Sequence, residues 1–395
     1  MPSKPQFVGE RQSLENRVEY VRGVTYKAAV DLHGELDENS YVLLRANNIQ
    51  DGELILDDVQ YVDRSKVKPK QLLRYGDILF CASSGSKGLV GKAALVRETM
   101  PVTFGAFCCV LRPKGNEAEY LGHYFQSRQY RRAIEEVCSG SNINNLKAAN
   151  FLSLVVPHYD GDSTRAISVL FDLIDAQVQQ AKNQIEQLDS LVKSRFVEMF
   201  GKCDVRVPLG RVCSFKSGKT LPKDKEMPSG DFIYAKVGDL SLPGNEMAIR
   251  FSRTYVDAAT AKNCLIPKGA VVFPKRGGAI GTNKKRVTGE DCCLDLNLMS
   301  VIPGGEILTE YLLAWLEQMD LADIANGSTV PQINNKDLDP LIIPLPKMEL
   351  QQEFAAFAAQ IDKSRFVDLG NTGRIVPLSL HIWTRNQKVS DIFQR

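Results

Sequence analysis

A chain of 395 residues with 44% hydrophobic and 24% charged residues is long enough for two or three domains with real cores, and too apolar to be disordered. Its formal net charge of +2 excludes a uniformly basic protein but leaves room for local basic loops on a neutral body. No apolar stretch approaches the ~20 residues of a membrane span and the first twenty residues hold no apolar signal core, so a cytoplasmic protein that does not enter a membrane is expected.

The chain opens on short apolar runs separated by turn residues, such as "YVLLRANNIQDGELI" from Tyr41 and "DILFCASSGSKGLV" from Asp77, which predict strands joined by polar turns. A short helix is predicted over 120–137. Residues 139–157 then read "SGSNINNLKAANFLSLVVP", a Gly-Ser segment that closes on an apolar run and a proline. After it, residues 163–200 contain neither Gly nor Pro. Phe171, Val178, Ile185, Val192 and Met199 recur every seven residues, with Ile167, Ile174, Ala181 and Leu188 as the second position of each heptad. This a/d seam over more than four heptads predicts a coiled-coil spacer helix about 55 Å long, capped by Asp162 or Ser163 and ended by Gly201.

The second half repeats the first. Residues 326–344, "NGSTVPQINNKDLDPLIIP", align without a gap on residues 139–157. In the same order, "EYLLAWL" from Glu310 resembles "EYLGHYF" from Glu119, and "KGAVVFPKRGGAIGTNKKRV" from Lys268 resembles "YGDILFCASSGSKGLVGKAALV" from Tyr75. "KVGDL" from Lys236 falls where "RANNI" begins at Arg45, and Ile361-Asp362 falls on Ile174-Asp175. Five collinear matches indicate a duplication. The expected organisation is a first domain at 1–160, the spacer helix at 161–201, a second domain at 202–346, a shorter helix at 347–367 and a tail at 368–395, where Gly370, Gly373 and Pro377 break the heptads.

Recognisable catalysis is missing. "SKGLVGKAA" from Ser86 lacks both the first Gly and the final Ser/Thr of a phosphate-binding loop, and "GGAIG" from Gly277 is a lone Gly-rich turn. The nine cysteines include no C-x-x-C and the four histidines are scattered, so buried free thiols and no metal site are expected.

The polar loops at matching places in the two halves are the candidate ligand-binding elements. They carry Ser83, Ser84, Ser86 and Lys87 in the first half, and Lys275, Arg276, Lys284, Lys285 and Arg286 in the second. Loops of this kind bring Lys/Arg and backbone N–H groups to phosphates, and Ser, Asn and Arg to base edges. Arg45 and Lys236 are added from the matched "RANNI" and "KVGDL". Asn142, Asn144 and Asn145, with Gln332, Asn334 and Asn335, have the side chains that read adenine, although turn formation and helix capping explain them equally well. A nucleotide-dependent enzyme stands as a rival reading.

"RGVTYK" (22–27), "YGDILF" (75–80), residues 326–354 and "QIDKSRF" (360–366) resemble the specificity subunits of type I restriction–modification enzymes. The resemblance implies an α+β fold with two mixed, mainly β target recognition domains joined by long antiparallel helices. Each domain would read one half of a split double-stranded DNA site. The helices would set the unread gap and dock methylase (M) subunits, with restriction (R) subunits joining through them. It implies no cofactor in this chain, and S-adenosylmethionine, ATP and Mg on the partner subunits. A stand-alone or truncated two-domain DNA-binding protein without restriction partners is the alternative. Because the second helix is short, it is expected to cover only Ile185 to Met199, including Leu188 and Val192. Ile167, Phe171, Ile174 and Val178 are then expected in an exposed stripe open to self-association, to the tail or to a methylase subunit.

Overall fold

The computed structural model describes residues 9–86, 88–139, 145–326 and 330–365. The chain divides into two compact units, with the cut between Ala181 and Lys182, inside the long helix Gly161–Phe200. Each unit is α+β.

In the first unit, Val18–Arg22, Cys108–Pro113, Ile78–Cys81 and Ala93–Leu95 form an antiparallel sheet in that spatial order. A second sheet orders Val102–Phe104, Ser40–Leu44, Gln60–Asp63 and Leu32–His33, and its first pair is parallel. The strands are short, and the central ones are apolar and buried along most of their length. Helices Ala118–Gln126 and Arg128–Ser139 supply Tyr120, Phe125 and Tyr130 to a core in which Phe80 meets Phe125 edge-on at 4.8 Å.

The second unit follows the same plan. Cys213–Ser217, Leu298–Pro303, Val271–Pro274 and Arg286–Thr288 build the first sheet, with Ala248–Ile249 added at its end. Phe232–Ala235 and Cys292–Leu294 form the parallel pair of the second sheet. The core gathers Phe196, Phe200, Tyr311 and Phe354 with ring centroids 4.9–5.6 Å apart.

The long helix begins at Asp160, whose carboxylate accepts the Ser163 backbone N–H at 2.8 Å and its hydroxyl at 2.9 Å. The cap therefore lies two residues before Asp162 and three before Ser163. The helix's seam is buried or half-buried throughout, so the expected exposed stripe is absent. Ile167 and Phe171 lie in the first unit's own core, Ile174 packs against that core, and Val178 is half-buried. At Phe171 the cover is the helix Ala118–Gln126, whose His123 ring lies 5.2 Å from that of Phe171 and 3.0 Å from the carboxylate of Asp172. A free apolar face for self-association is thus lost at these residues. Within the second unit, residues 348–365 are helical and run antiparallel to the end of the long helix. Phe354 meets Phe196 and Phe200, Glu353 pairs with Arg195 at 3.3 Å, and Arg365 pairs with Asp189. Ile185, Leu188 and Val192 are half-buried there. The tail lies outside the described residues.

All nine cysteines are free, and seven are buried. Among the described residues no helix is long and apolar enough to cross a membrane, and no group of His, Cys, Asp and Glu is placed to hold a metal ion.

Candidate nucleic-acid interface

The duplicated Gly-Ser segment has a mechanical role, which the hydrogen bonds define. In the first unit, Leu146 donates its N–H to Ala82 O at 2.7 Å, and Ala82 donates to Phe107 O at 2.9 Å. In the second, Ile333 donates to Lys275 O at 2.9 Å, and Lys275 donates to Asn297 O at 2.8 Å. One step on, Ser83 bridges Asn145 and Arg276 bridges Gln332, both antiparallel. Beyond that, Val155–His158 pairs with Glu10–Ser13, and Ile342–Pro344 pairs with Arg206–Pro208, in equivalent registers. Tyr120 donates its hydroxyl to Pro157 O at 2.8 Å, as Tyr311 does to Pro344 O at 2.9 Å. The segment thus staples the end of a central strand and its polar loop to the exit of the unit, once per unit.

The frame also fixes a close backbone crossing. A Cβ on Gly23 would collide with the carbonyl of Gly105, and a Cβ on Gly218 with that of Asp295. These glycines lie in "RGVTYK" and "SGKTLP", which share Gly-x-Thr. That correspondence was readable in the sequence but is too short to stand out.

In the first unit an open cleft of about 730 Å³ brings together Arg45, Ser83 and Ser84 with Asn47, Gln60 and Phe107. Arg45 Nη2 donates to Asp58 Oδ1 at 3.0 Å, and Asn47 Nδ2 to Asp58 Oδ2 at 2.7 Å. Tyr26 donates its hydroxyl to Gln60 Oε1 at 3.2 Å. Ser86 and Asn145 are exposed. Lys87, Asn142 and Asn144 lie outside the described residues. Sequence reasoning missed Asn47, Gln60 and Phe107, which stand far apart along the chain and meet only in the fold.

The second unit gives the equivalent positions different chemistry. Lys275 Nζ donates to Ser217 Oγ at 2.9 Å, and burial followed by the neighbouring Arg276 charge lowers its pKa. Arg276 is exposed, and Gln332 Nε2 donates to Asn334 Oδ1 at 2.8 Å. Lys236 pairs with Glu226 at 2.6 Å and Arg45 with Asp58, the acidic partners coming from different places in the two units. Arg45 and Lys236 are true equivalents, since the backbone N–H of each is capped by the side chain three residues on, Asn48 and Asp239. The Asn334 backbone N–H donates to Asp337, the helix-start geometry, and Asn335 opens that helix in an exposed position.

Two expected contact residues are corrected. Lys285 is buried; its ammonium donates to Asn283 Oδ1 at 2.8 Å and Met319 O at 3.0 Å, and lies 3.9 Å from Glu317. Burial lowers its pKa. An ammonium so enclosed cannot reach a phosphate. Arg286 is a strand residue that donates to Lys285 O at 2.7 Å, and burial lowers its pKa too. Lys284, its Nζ 2.6 Å from Ser241 Oγ, stays accessible.

Two α+β modules of one plan, each with a stapled polar face and each tied to the long helix, define a duplicated architecture. Residues 205–372 match the family described as type I restriction modification DNA specificity domain. The specificity subunits of the StySPI enzyme of Salmonella potsdam and the EcoKI enzyme of Escherichia coli are each 37% identical to this chain over 174 residues. The match takes in 44% of this chain and only 37% of the length of either relative. A solved chain from a type I R-M system has the same fold with a TM-score of 0.53 at 16% identity, covering 98% of this chain and 99% of its own. The S subunit from M. genitalium gives 0.50 at 14%, with 96% of each chain covered. Residues 205–372 are thus similar to a type I restriction modification DNA specificity domain, and the two solved chains share the fold.

Proposed function

We propose that this chain is the DNA-recognition subunit of a type I restriction–modification enzyme. Residues 1–160 read one half of a bipartite double-stranded target, and residues 202–346 read the other. The helices dock methylase subunits, and restriction subunits join through these. The chain itself is not catalytic, and S-adenosylmethionine, ATP and Mg belong to the partner subunits. One observation carries this reading: the same hydrogen-bonded frame is built twice and presents different side chains at equivalent positions. Ala82, Ser83, Phe107 and Asn145 on one face stand where Lys275, Arg276, Asn297 and Gln332 stand on the other. A duplicated catalytic domain would keep its reactive groups in both copies, whereas two readers of different half-sites need one scaffold and two sets of contacts.

The test is genome-wide methylation mapping in a host that supplies type I methylase subunits, with and without this gene. The expected result is a split motif of two short specified halves that appears only with this gene. No new methylation, despite a soluble complex with methylase, would refute the proposal.

A further inference from the structure

Phe107 is the unusual member of the first face. It is 71% exposed, a large apolar side chain in a cleft whose other lining groups include Arg45, Asn47, Gln60, Ser83 and Ser84. A solvent-exposed phenyl ring on a floppy loop would mean little. The backbone that carries this one is fixed, because its carbonyl accepts the N–H groups of both Ala82 (2.9 Å) and Ser83 (3.0 Å). On either side, Gly105 donates to Leu44 O at 2.9 Å and Cys108 donates to Gly105 O at 2.8 Å. The Gly23 backbone presses on the same turn. The second unit puts Asn297 at this place, its side chain bonded to Asp295 at 2.7 Å. The scaffold therefore fixes the position while the side chain varies.

Resting on the recognition reading above, we infer that Phe107 is a specificity-determining residue that contacts the 5-methyl group of a thymine in the first half-site. The reason is chemical. Arg45, Asn47, Gln60, Ser83 and Ser84 around it can match donors and acceptors of base edges. A phenyl ring can match none of them, and the only apolar group exposed in the major groove is the thymine methyl.

The experiment uses the complex with methylase subunits and the target found by methylation mapping. Each thymine of the site is replaced in turn by deoxyuridine, which removes only the methyl group. Wild type should lose about fourfold in affinity at one thymine of the first half-site, the scale of one buried methyl. Phe107→Asn should abolish that sensitivity and leave discrimination at the second half-site unchanged. Phe107→Leu, which keeps an apolar contact, should retain most of it and shows that loss in Phe107→Asn is not misfolding. If the complex binds its target but no first-half thymine is sensitive, or if Phe107→Asn remains equally sensitive, the inference fails while the recognition reading stands. A Phe107-dependent change in DNA bending without methyl sensitivity would make the ring a wedge between base steps instead and would also overturn it. Failure of the complex to bind any specific site overturns both.

Discussion

Arg17, Glu117 and His158 show how one frame tolerates opposite chemistries. Arg17 donates Nε and Nη2 to the Glu117 carboxylate at 3.0 and 2.8 Å, and Nη1 to Val156 O at 3.1 Å; His158 Nδ1 lies 2.9 Å from the same carboxylate. In the second unit the equivalent places hold Val212, Leu308 and Leu345, all in or against the core. The equivalence is fixed by the pair Leu14 N–Leu154 O and Leu209 N–Leu341 O, and by Glu117 and Leu308 each preceding the matched helix. A buried ion pair often gives no more stability than apolar groups of the same volume, but breaking it on one side leaves a buried charge. Glu117→Leu alone should therefore cost about 3–5 kcal/mol. The triple change Arg17→Met, Glu117→Leu, His158→Leu should recover most of it, read by urea unfolding of the full chain. The pH dependence follows from the Glu117 carboxyl. Burial raises its pKa, but the Arg17 and His158 hydrogen bonds lower it by more, so it ends below its ordinary value. Its contribution is present above the unfolded value of about 4.3 and is lost as pH falls through the lower folded value. The gap between wild type and the triple variant should shift in favour of the variant in that acid window; a pH-independent gap would show that Glu117 titrates normally.

At the level of elements, the helices and the duplicated segment were legible because their signals are local: a heptad seam, and nineteen residues that align without a gap. The basic loop between Val271–Pro274 and Arg286–Thr288 was legible only as charge. What the sequence hides is direction. Asn283 adopts a left-handed conformation with φ of 51°, and its side chain accepts from Leu321 N–H at 3.0 Å as well as from Lys285. The adjacent lysines then point opposite ways, Lys284 to Ser241 and Lys285 to the Met319 carbonyl, as neighbours in an extended chain do. The Phe107 cleft was illegible for a different reason: its members come from five separate stretches of the chain. The loop separates two kinds of lysine by experiment. Lys284→Gln and Arg276→Gln should each lower the slope of log K against log salt by up to about 0.9. Lys285→Gln should leave the slope unchanged and lower stability, by about 1–3 kcal/mol for the buried partners it leaves unsatisfied. Anisotropy titrations over a range of KCl concentrations, with unfolding curves for each variant, read both; a slope change in Lys285→Gln would mean that the loop opens to expose it.

For the whole molecule, the cores decide whether the halves can be exchanged. Among the described residues, every core cluster draws its members from one unit alone, so neither half needs the other to bury its apolar side chains. Each polar face is likewise held by hydrogen bonds inside its own unit. Replacing residues 202–346 with the corresponding stretch of a related protein should therefore leave the first face intact. The boundaries matter, because Phe196, Phe200 and Phe354 lie outside that stretch yet pack into the second unit's core. The donor must bring apolar counterparts of Val207, Leu209, Tyr311 and Ile343 to receive them, or the exchange creates cavities costing several kcal/mol, about 3–5 for a lost aromatic contact set. With that condition met, the methylated sequence should change in one half and keep the other half letter for letter. Methylation mapping of the hybrid reads the outcome directly. A change in both halves would show that the two faces are coupled, and a change in neither would place recognition outside residues 202–346.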